Sequence, residues 1–421
     1  MISLTINDNV IKFTFSDNDH YLKNGTIEAP LNSLTLATDD TDMFAFKKAA
    51  SNDIFICGLY SEIGKTKSEL ETYYKENMVG STGGGGGSTA DTEALKGMIQ
   101  RDLTSIDIPS GTTAINYPGF SGCTSLTSVT IPDSVTTIAD SAFRRCSGLT
   151  SIDIPSGVTS IGNWSFGECL NLSSATIPDS VTFIGSYAFS NTKLNSVEIK
   201  SGVTLSNNVF SNNTDLTSAI INCEDTSSYT FQNCSNLSAL TVGDNVKTIG
   251  DYAFANCSGL TSVDIPSGVT SIGSTSFAYC ANLTSVTIPD SVTSIGNSTF
   301  SGCKKLKRLN SDTDGVFVLP TGVSNIGSSC FDTSGMTSLI IPSNISNIGS
   351  YAFNNCANLE TITSYSVTPP SLYNAGVFYG CTHITTYGGD GKIYVPAESV
   401  DAYKAAKGWS SFADKIQAIP E

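Results

Sequence analysis

Residue types that commonly carry out chemistry are scarce in this chain, and their spacing argues against catalysis. Histidine occurs only as His20 and His383. Neither stands at a spacing that would make a metal pair or a nucleophile and base relay, and His383 follows Cys381 where a surface turn is expected. Gly58-Leu-Tyr-Ser-Glu-Ile-Gly64-Lys65-Thr66 lies between a predicted strand and a predicted helix, which is the setting of a phosphate loop, but its glycines are one residue further apart than that motif allows. Thr66 already caps the helix, and no βαβ alternation surrounds the loop, so nucleotide binding is not expected. No enzyme activity is expected.

Asn310-Ser-Asp312-Thr-Asp314-Gly315 offers alternating oxygen ligands and a turn glycine. Asn310, Asp312 and Asp314 are therefore candidate ligands of a weak calcium site. Thr321 stands where an EF-hand needs a bidentate carboxylate, so a solvated turn is the competing reading. No cysteine pair has the C-x-x-C spacing of a zinc site, and no other cofactor is expected.

Two further patterns point to binding. Aromatic residues precede a recurring phenylalanine at Trp164, Tyr187, Tyr252 and Tyr351, where they could form a stacking strip for sugar rings or pack against neighbouring turns. Short polar residues alternate with apolar ones at Ser128, Thr130, Ser151, Asp153, Ser262, Asp264, Ser285 and Thr287. They form a hydrogen-bonding ladder suited to a polar ligand. Small hydroxyls would equally keep a sheet face soluble, and the residues by themselves leave both readings open.

A repeat positions these residues. Phe143, Phe166 and Phe189, and again Phe254, Phe277 and Phe300, are each separated by 23 residues. A fixed period of this length signals a solenoid of stacked turns. In Leu260-Thr-Ser-Val263-Asp-Ile265-Pro266-Ser-Gly-Val269-Thr-Ser-Ile272-Gly273, the residues Leu260, Val263 and Ile265 point inward from a half-buried strand. Pro266 ends that strand, Val269 and Ile272 line a second wall, and Phe277 fills the width between them. Phenylalanines at this phase predict about twelve turns over residues 103–391. Stacked at ~4.7–4.9 Å, such turns extend on the order of 55–60 Å. The phase slips to 21 residues at Phe210 and Phe231 and to 31 at Phe331, where an extra loop is expected near Asn310 to Gly315.

Of 12 cysteines, Cys123, Cys146 and Cys169, then Cys234, Cys257, Cys280 and Cys303, keep the repeat spacing. One per turn at constant phase reads as a buried free thiol. The net charge is -16, with only 14% of residues charged, so the clustered basic surface that nucleic acid or anionic lipid requires is not expected. No apolar run is long enough to span a membrane, and the first residues lack the pattern of an export signal.

Residues 1–79 differ in texture. Ile2 to Ile6, Val10 to Phe15, Leu31 to Leu36 and Ile54 to Tyr60 read as strands, and Thr66 opens a helix carrying Leu70, Tyr73 and Tyr74. Residues 80–90 form a glycine-rich tether with an r.m.s. span of ~17 Å that should decouple the two halves. Residues 91–102 are expected to form a capping helix with Leu95, Met98 and Ile99 on one side. Residues 392–421 are expected to close the other end, with a helix from Pro396 to Gly408 and Tyr403, Trp409, Phe412 and Ile416 sealing the last turn.

The pattern Leu-x-x-Val-x-Ile-Pro-x-x-Val-x-x-Ile-Gly-x-x-x-Phe-x-x-Cys, as in Leu283 to Cys303, resembles the BspA-like leucine-rich repeat. The closing segment Tyr394 to Tyr403 resembles the cap of such arrays in gut Bacteroidales. That resemblance implies a β-rich solenoid, adhesion rather than catalysis, and a bacterial-surface protein or glycan as partner. A non-repeat N-terminal domain on a glycine tether further resembles gut bacteriophage fibres. This implies a virion protein held to a capsid or tail protein through residues 1–79, and, since fibres of that kind are commonly trimers, a homotrimer. A cellular BspA-type adhesin and a purely structural virion component are the alternatives.

Overall fold

The computed structural model describes residues 104–108, 110–115, 120–385 and 389–420, together with strands Ile2–Asn7, Val10–Phe15, Thr26–Pro30, Met43–Lys47 and Ile54–Leu59. The chain forms two units, Met1–Leu194 and Asn195–Glu421. Repeats in both are turns of a β-solenoid, as the period predicts.

In the first unit, Ser105–Asp107 pairs in parallel with Ser128–Thr130, and Ser151–Asp153 with Ser174–Thr176. The short strands Ala114–Ile115, Thr137–Ile138, Ser160–Ile161 and Phe183–Ile184 pair in the same parallel sense to make a second wall. The third wall is not a strand, yet it is bonded from turn to turn. Ser141, Phe143 and Arg145 donate their N–H groups to the carbonyls of Asn163, Ser165 and Gly167 at 2.7, 2.7 and 3.0 Å. Left-handed residues on either side of the phenylalanine, Ser141 at φ 54° and Arg145 at φ 62°, accompany these axial bonds.

The second unit follows the same plan. Ser196–Ile199, Ser218–Ile221 and Ala239–Val242 form one parallel sheet. An eight-stranded sheet then runs from Ser262–Asp264 to Ile416–Ala418. Consecutive rings Phe210, Phe231, Phe254, Phe277 and Phe300 stack at 5.2–5.5 Å between centroids and are fully buried. Phe231, Phe254 and Phe277 are thus packed on both faces by their own kind.

The repeat also explains the cysteines. All eleven in the array are buried and unpaired. Cys257 Sγ donates to the Phe231 carbonyl at 3.2 Å, and Cys280 and Cys303 do the same to Phe254 and Phe277 at 3.3 and 3.2 Å. A small apolar side chain with one weak donor suits an interior site that faces a carbonyl.

Three expectations need correction or completion. The segment Asn310–Gly315 is not only a loop, because it returns the chain so that Val316–Val318 inserts in the sheet between Arg308–Leu309 and Ser338–Ile341. Phe317 from this insert is fully buried, with its ring edge against Phe331 at 5.6 Å. The phenylalanine wall skips the insert, since Phe300 N–H bonds directly to Cys330 at 2.9 Å. One wall therefore carries a rung that the phenylalanine count does not register.

The C-terminal cap is less helical than expected. Its one α-helix, Val400–Ala405, is flanked by 3-10 turns Ala397–Ser399 and Trp409–Phe412 and by strands Lys392–Val395 and Ile416–Ala418, which continue the sheet. Gly408 at φ 88° turns the chain back. Tyr403, Trp409, Phe412 and Ile416 are buried as anticipated, and Trp409 Nε1 donates to the Pro370 carbonyl at 2.7 Å.

At the N-terminus, the expected strands Ile2–Asn7 and Val10–Phe15 pair antiparallel, and Ile54–Leu59 pairs antiparallel with Met43–Lys47. Ile2–Asn7 also runs parallel to Ser105–Asp107, with Thr5 opposite Asp107, so this strand is not decoupled from the first turn. The expected strand at 31–36, the helix after Thr66, the tether and the helix at 91–102 lie outside the described residues, as do His20 and the loop from Tyr60 onward.

Replacing Phe254 with Ala opens a cavity between two stacked rings. It should lower stability by ~3–5 kcal/mol, measured by urea denaturation, whereas Phe183→Ala on the exposed short-strand face should cost under ~1 kcal/mol.

Candidate recognition surface

The polar residues singled out on the long strands all face outward. Ser128 and Thr130 are exposed on either side of Val129, and Asp153 is exposed beside buried Ile152. Asp264 and Thr287 are exposed on paired strands, and Thr287 Oγ1 donates to Asp264 Oδ1 at 2.9 Å. The register places Asp107 opposite Thr130 and Asp153 opposite Thr176. Neighbouring carboxylates one rung apart would repel, and a threonine between them supplies a hydroxyl donor instead. In each unit the long strands therefore present outward serines beside outward aspartates and threonines, and the pairing cannot shift register without exposing the core.

Other threonines serve the fold. Thr136, Thr159 and Thr182 each donate Oγ1 to the carbonyl of the equivalent residue one turn earlier, at 3.1–3.2 Å. Their hydroxyls are committed to the ladder, and the strand-face residues are the ones turned to solvent.

The aromatic strip resolves differently. Trp164 and Tyr187 stack at 4.3 Å with their planes 7° apart, and the Arg144 guanidinium lies 4.3 Å from the Trp164 ring centroid. In the second unit, Tyr229 and Tyr252 stack at 4.7 Å. Rings stacked face to face turn their edges outward, which favours packing over a sugar platform at Trp164, Tyr187 and Tyr252. Tyr351 is exposed, with its ring against Gly376, where an added Cβ would come within 2.8 Å of Cε1. Left-handed φ at Trp164, Tyr187, Tyr252 and Tyr351 recurs at Ser141, Asn208, Thr275 and Ser329, so it belongs to the repeat and not to the aromatic residues.

Arg144 and Arg145 both reach Glu168, Arg144 at 2.6 Å. Partial burial by itself would raise the Glu168 carboxyl, but the bonds from the two guanidinium groups hold it below its ordinary value of 4.5.

Of the three calcium candidates, Asn310 is committed to the backbone. Asn310 Oδ1 accepts the Ile288 N–H at 2.7 Å, and its Nδ2 donates to the Val318 carbonyl at 3.2 Å. Asp314 lies 3.9 Å from Lys307 Nζ, and Asp312 is exposed. Among the described residues, no group of three or more His, Cys, Asp and Glu is placed to hold a metal ion. His383 sits in the short helix Thr382–Thr385, where its Nδ1 meets Asp390 Oδ1 at 2.6 Å, and that bond holds the Asp390 carboxyl below its usual range.

One cluster escaped the reading from bulk charge. Lys304, Lys305, Lys307 and Arg308 surround buried Leu306, with the three lysines exposed. Four of the 22 basic residues fall within five positions, and a local count of charge would have found them.

The BspA type leucine-rich repeat region matches in six copies over residues 98–217, 224–314 and 311–393, more than half of the chain. The chain belongs to this family. No curated protein matches it. A leucine-rich repeat protein from Bacteroides ovatus is similar in structure, with a TM-score of 0.50, 24% identity, and 75% of this chain and 92% of that one covered. A leucine-rich cell surface protein from Faecalibacterium prausnitzii aligns at 27% identity and a TM-score of 0.40, covering 73% of this chain and 82% of that one. The pneumococcal vaccine antigen PcpA aligns at 20% identity and a TM-score of 0.45, covering 76% and 80%. Nothing in these matches points to a bacteriophage.

Two outcomes test this chemistry. Because the folded Glu168 carboxyl lies below 4.5, its stabilising contribution should be complete above that pH and lost as pH falls through the lowered value. Glu168→Gln should therefore flatten the acid limb of a stability profile followed by circular dichroism. Burial pushes the thiols of Cys234, Cys303 and Cys330 up to about 12. In a Cys57→Ser background, a thiol reagent at pH 8 should label none of the array thiols in the native state and all of them in denaturant.

Proposed function

We propose that this protein is a non-catalytic recognition protein of adhesion type, whose long-strand face contacts a polar ligand on a bacterial or mucosal surface. The observation that carries this reading is that outward aspartate and threonine recur at the same strand position in each unit, Thr130 and Asp153 in the first and Asp264 and Thr287 in the second, on parallel strands locked in register. Such a face presents many weak donors and acceptors at a fixed spacing, so the ordering cost of binding is already met by the fold. Membership of the BspA-type family supports adhesion. It favours a cell-surface adhesin over the phage fibre anchored through residues 1–79, a finer reading that nothing in the matches supports.

The test is sedimentation of the labelled full chain with intact gut bacteria and with mucin. Asp153→Arg with Asp264→Arg should weaken binding at least about tenfold, a loss of ~1.4 kcal/mol. Glu398→Arg with Asp401→Arg, the same charge change on the cap, should leave it unchanged. Equal binding by all three proteins would sink the strand-face reading.

A further inference from the structure

We propose that one corner of the second unit is a binding site for a sulfated polysaccharide, built from Lys304, Lys305, Lys307, Arg308 and the exposed ring of Tyr279. This is a second site, separate from the strand face argued above, with a ligand class of its own.

The charge is local and against the trend of the molecule. The chain carries -16 overall, yet residues 304–308 hold four positive charges with no acidic residue among them. Buried Leu306 pins the segment, and Arg308 faces outward on the strand register opposite Ser285. The cations are largely uncommitted. Lys305 Nζ donates to the neutral Asn282 amide oxygen at 2.8 Å, and Lys307 lies 3.9 Å from the exposed Asp314. Among the described residues, Lys304 and Arg308 have no ion pair within 4.0 Å. Three unpaired or loosely paired cations in one place are not explained by stability, since their mutual repulsion opposes it.

Tyr279 provides the second, independent observation. It occupies the left-handed position after the core phenylalanine, at φ 60°, and is 58% exposed. The equivalent residue one turn later is Gly302, where an added Cβ would lie 2.5 Å from Tyr279 Cδ1. The absent side chain lets the ring lie down over the Gly302 backbone, two residues before Lys304. Trp164, Tyr187, Tyr229 and Tyr252 are each stacked on another aromatic ring, and Tyr279 has no such partner among the described residues. A ring resting on the backbone two residues before a run of lysines offers a sugar an apolar face, and the lysines offer its anionic substituents a counter-charge.

The density of charge favours sulfate over carboxylate, because sulfate esters stay ionised and can occupy several positions of one sugar unit, matching four cations within five residues. Three of the four are lysine point charges with freely rotating donors, and the one arginine fork fits tetrahedral oxyanions as well as carboxylates. Tetrahedral sulfate esters spaced along a chain fit such an array. The long-range field of the acidic chain opposes a polyanion, so contact depends on charges within about one Debye length, ~8 Å at physiological salt.

The test measures binding of the full chain to immobilised heparin, with polygalacturonate and duplex DNA as parallel surfaces. The parent should bind heparin more tightly than either. Lys304→Ala/Lys305→Ala/Lys307→Ala should weaken heparin binding at least about tenfold, and Tyr279→Ala a few-fold, with folding checked by thermal melts. Lys392→Ala/Lys404→Ala/Lys407→Ala removes the same charge elsewhere and should have no effect. Absence of heparin binding by the parent, equal loss in both triple variants, or tighter binding to polygalacturonate or DNA would each overturn the proposal. If heparin binding fails while Asp153→Arg/Asp264→Arg still abolishes adhesion, only this site falls; the reverse result would remove the strand-face reading alone.

Discussion

The structure depends on axial hydrogen bonding from each turn to the next. A single turn of this chain has three short walls and no interior of its own, so its backbone groups and its apolar residues can be satisfied only by a neighbour. On two walls the bonds are those of parallel strands, as between Ser262–Asp264 and Ser285–Thr287. On the third, alternating left-handed residues aim successive N–H groups at the following turn, as Phe254 N–H meets the Ser276 carbonyl at 2.8 Å. Once those bonds set the rung spacing, rings at the same phase must stack and thiols at the same phase must meet a carbonyl.

That constraint divides the residues into those spent on the stack and those left on the surface. Phe254, Cys257 and Leu260 are fully buried, Thr270 reaches back to the Lys247 carbonyl, and Asn256 Nδ2 bonds to Asn233 Oδ1 at 2.9 Å. Face-to-face pairing of Trp164 with Tyr187 places that pair on the structural side of the division. The outward strand residues and the corner at Lys304 to Arg308 are not needed by the ladder. Substitution there changes what the surface offers without changing the register, which is how a repeat scaffold varies its recognition.

Departures from the period are absorbed wall by wall. The insert that carries Val316–Val318 adds a rung to the long-strand sheet, while the phenylalanine wall closes past it between Phe300 and Phe331 at 5.5 Å. Asn310, which the sequence offers as a calcium ligand, holds this junction by bonding both to Ile288 and to Val318. Its polar groups are used to join the inserted strand to the sheet.

The sequence by itself determined the solenoid, because a 23-residue recurrence of Leu, Val, Ile, Phe and Cys has one economical burial scheme, and the inward and outward strand residues follow from alternation. It also determined that the cysteines are buried thiols and that Tyr403, Trp409 and Phe412 close one end. Periodicity reports which residues share a phase, but not how side chains of equal phase meet. Whether Trp164 shows its face or its edge, whether Asn310 is free, whether Gly302 makes room for Tyr279, and whether residues near Asn310 form a loop or a strand are set by contacts between turns. Those contacts are distant in sequence and arise only when the rungs are stacked.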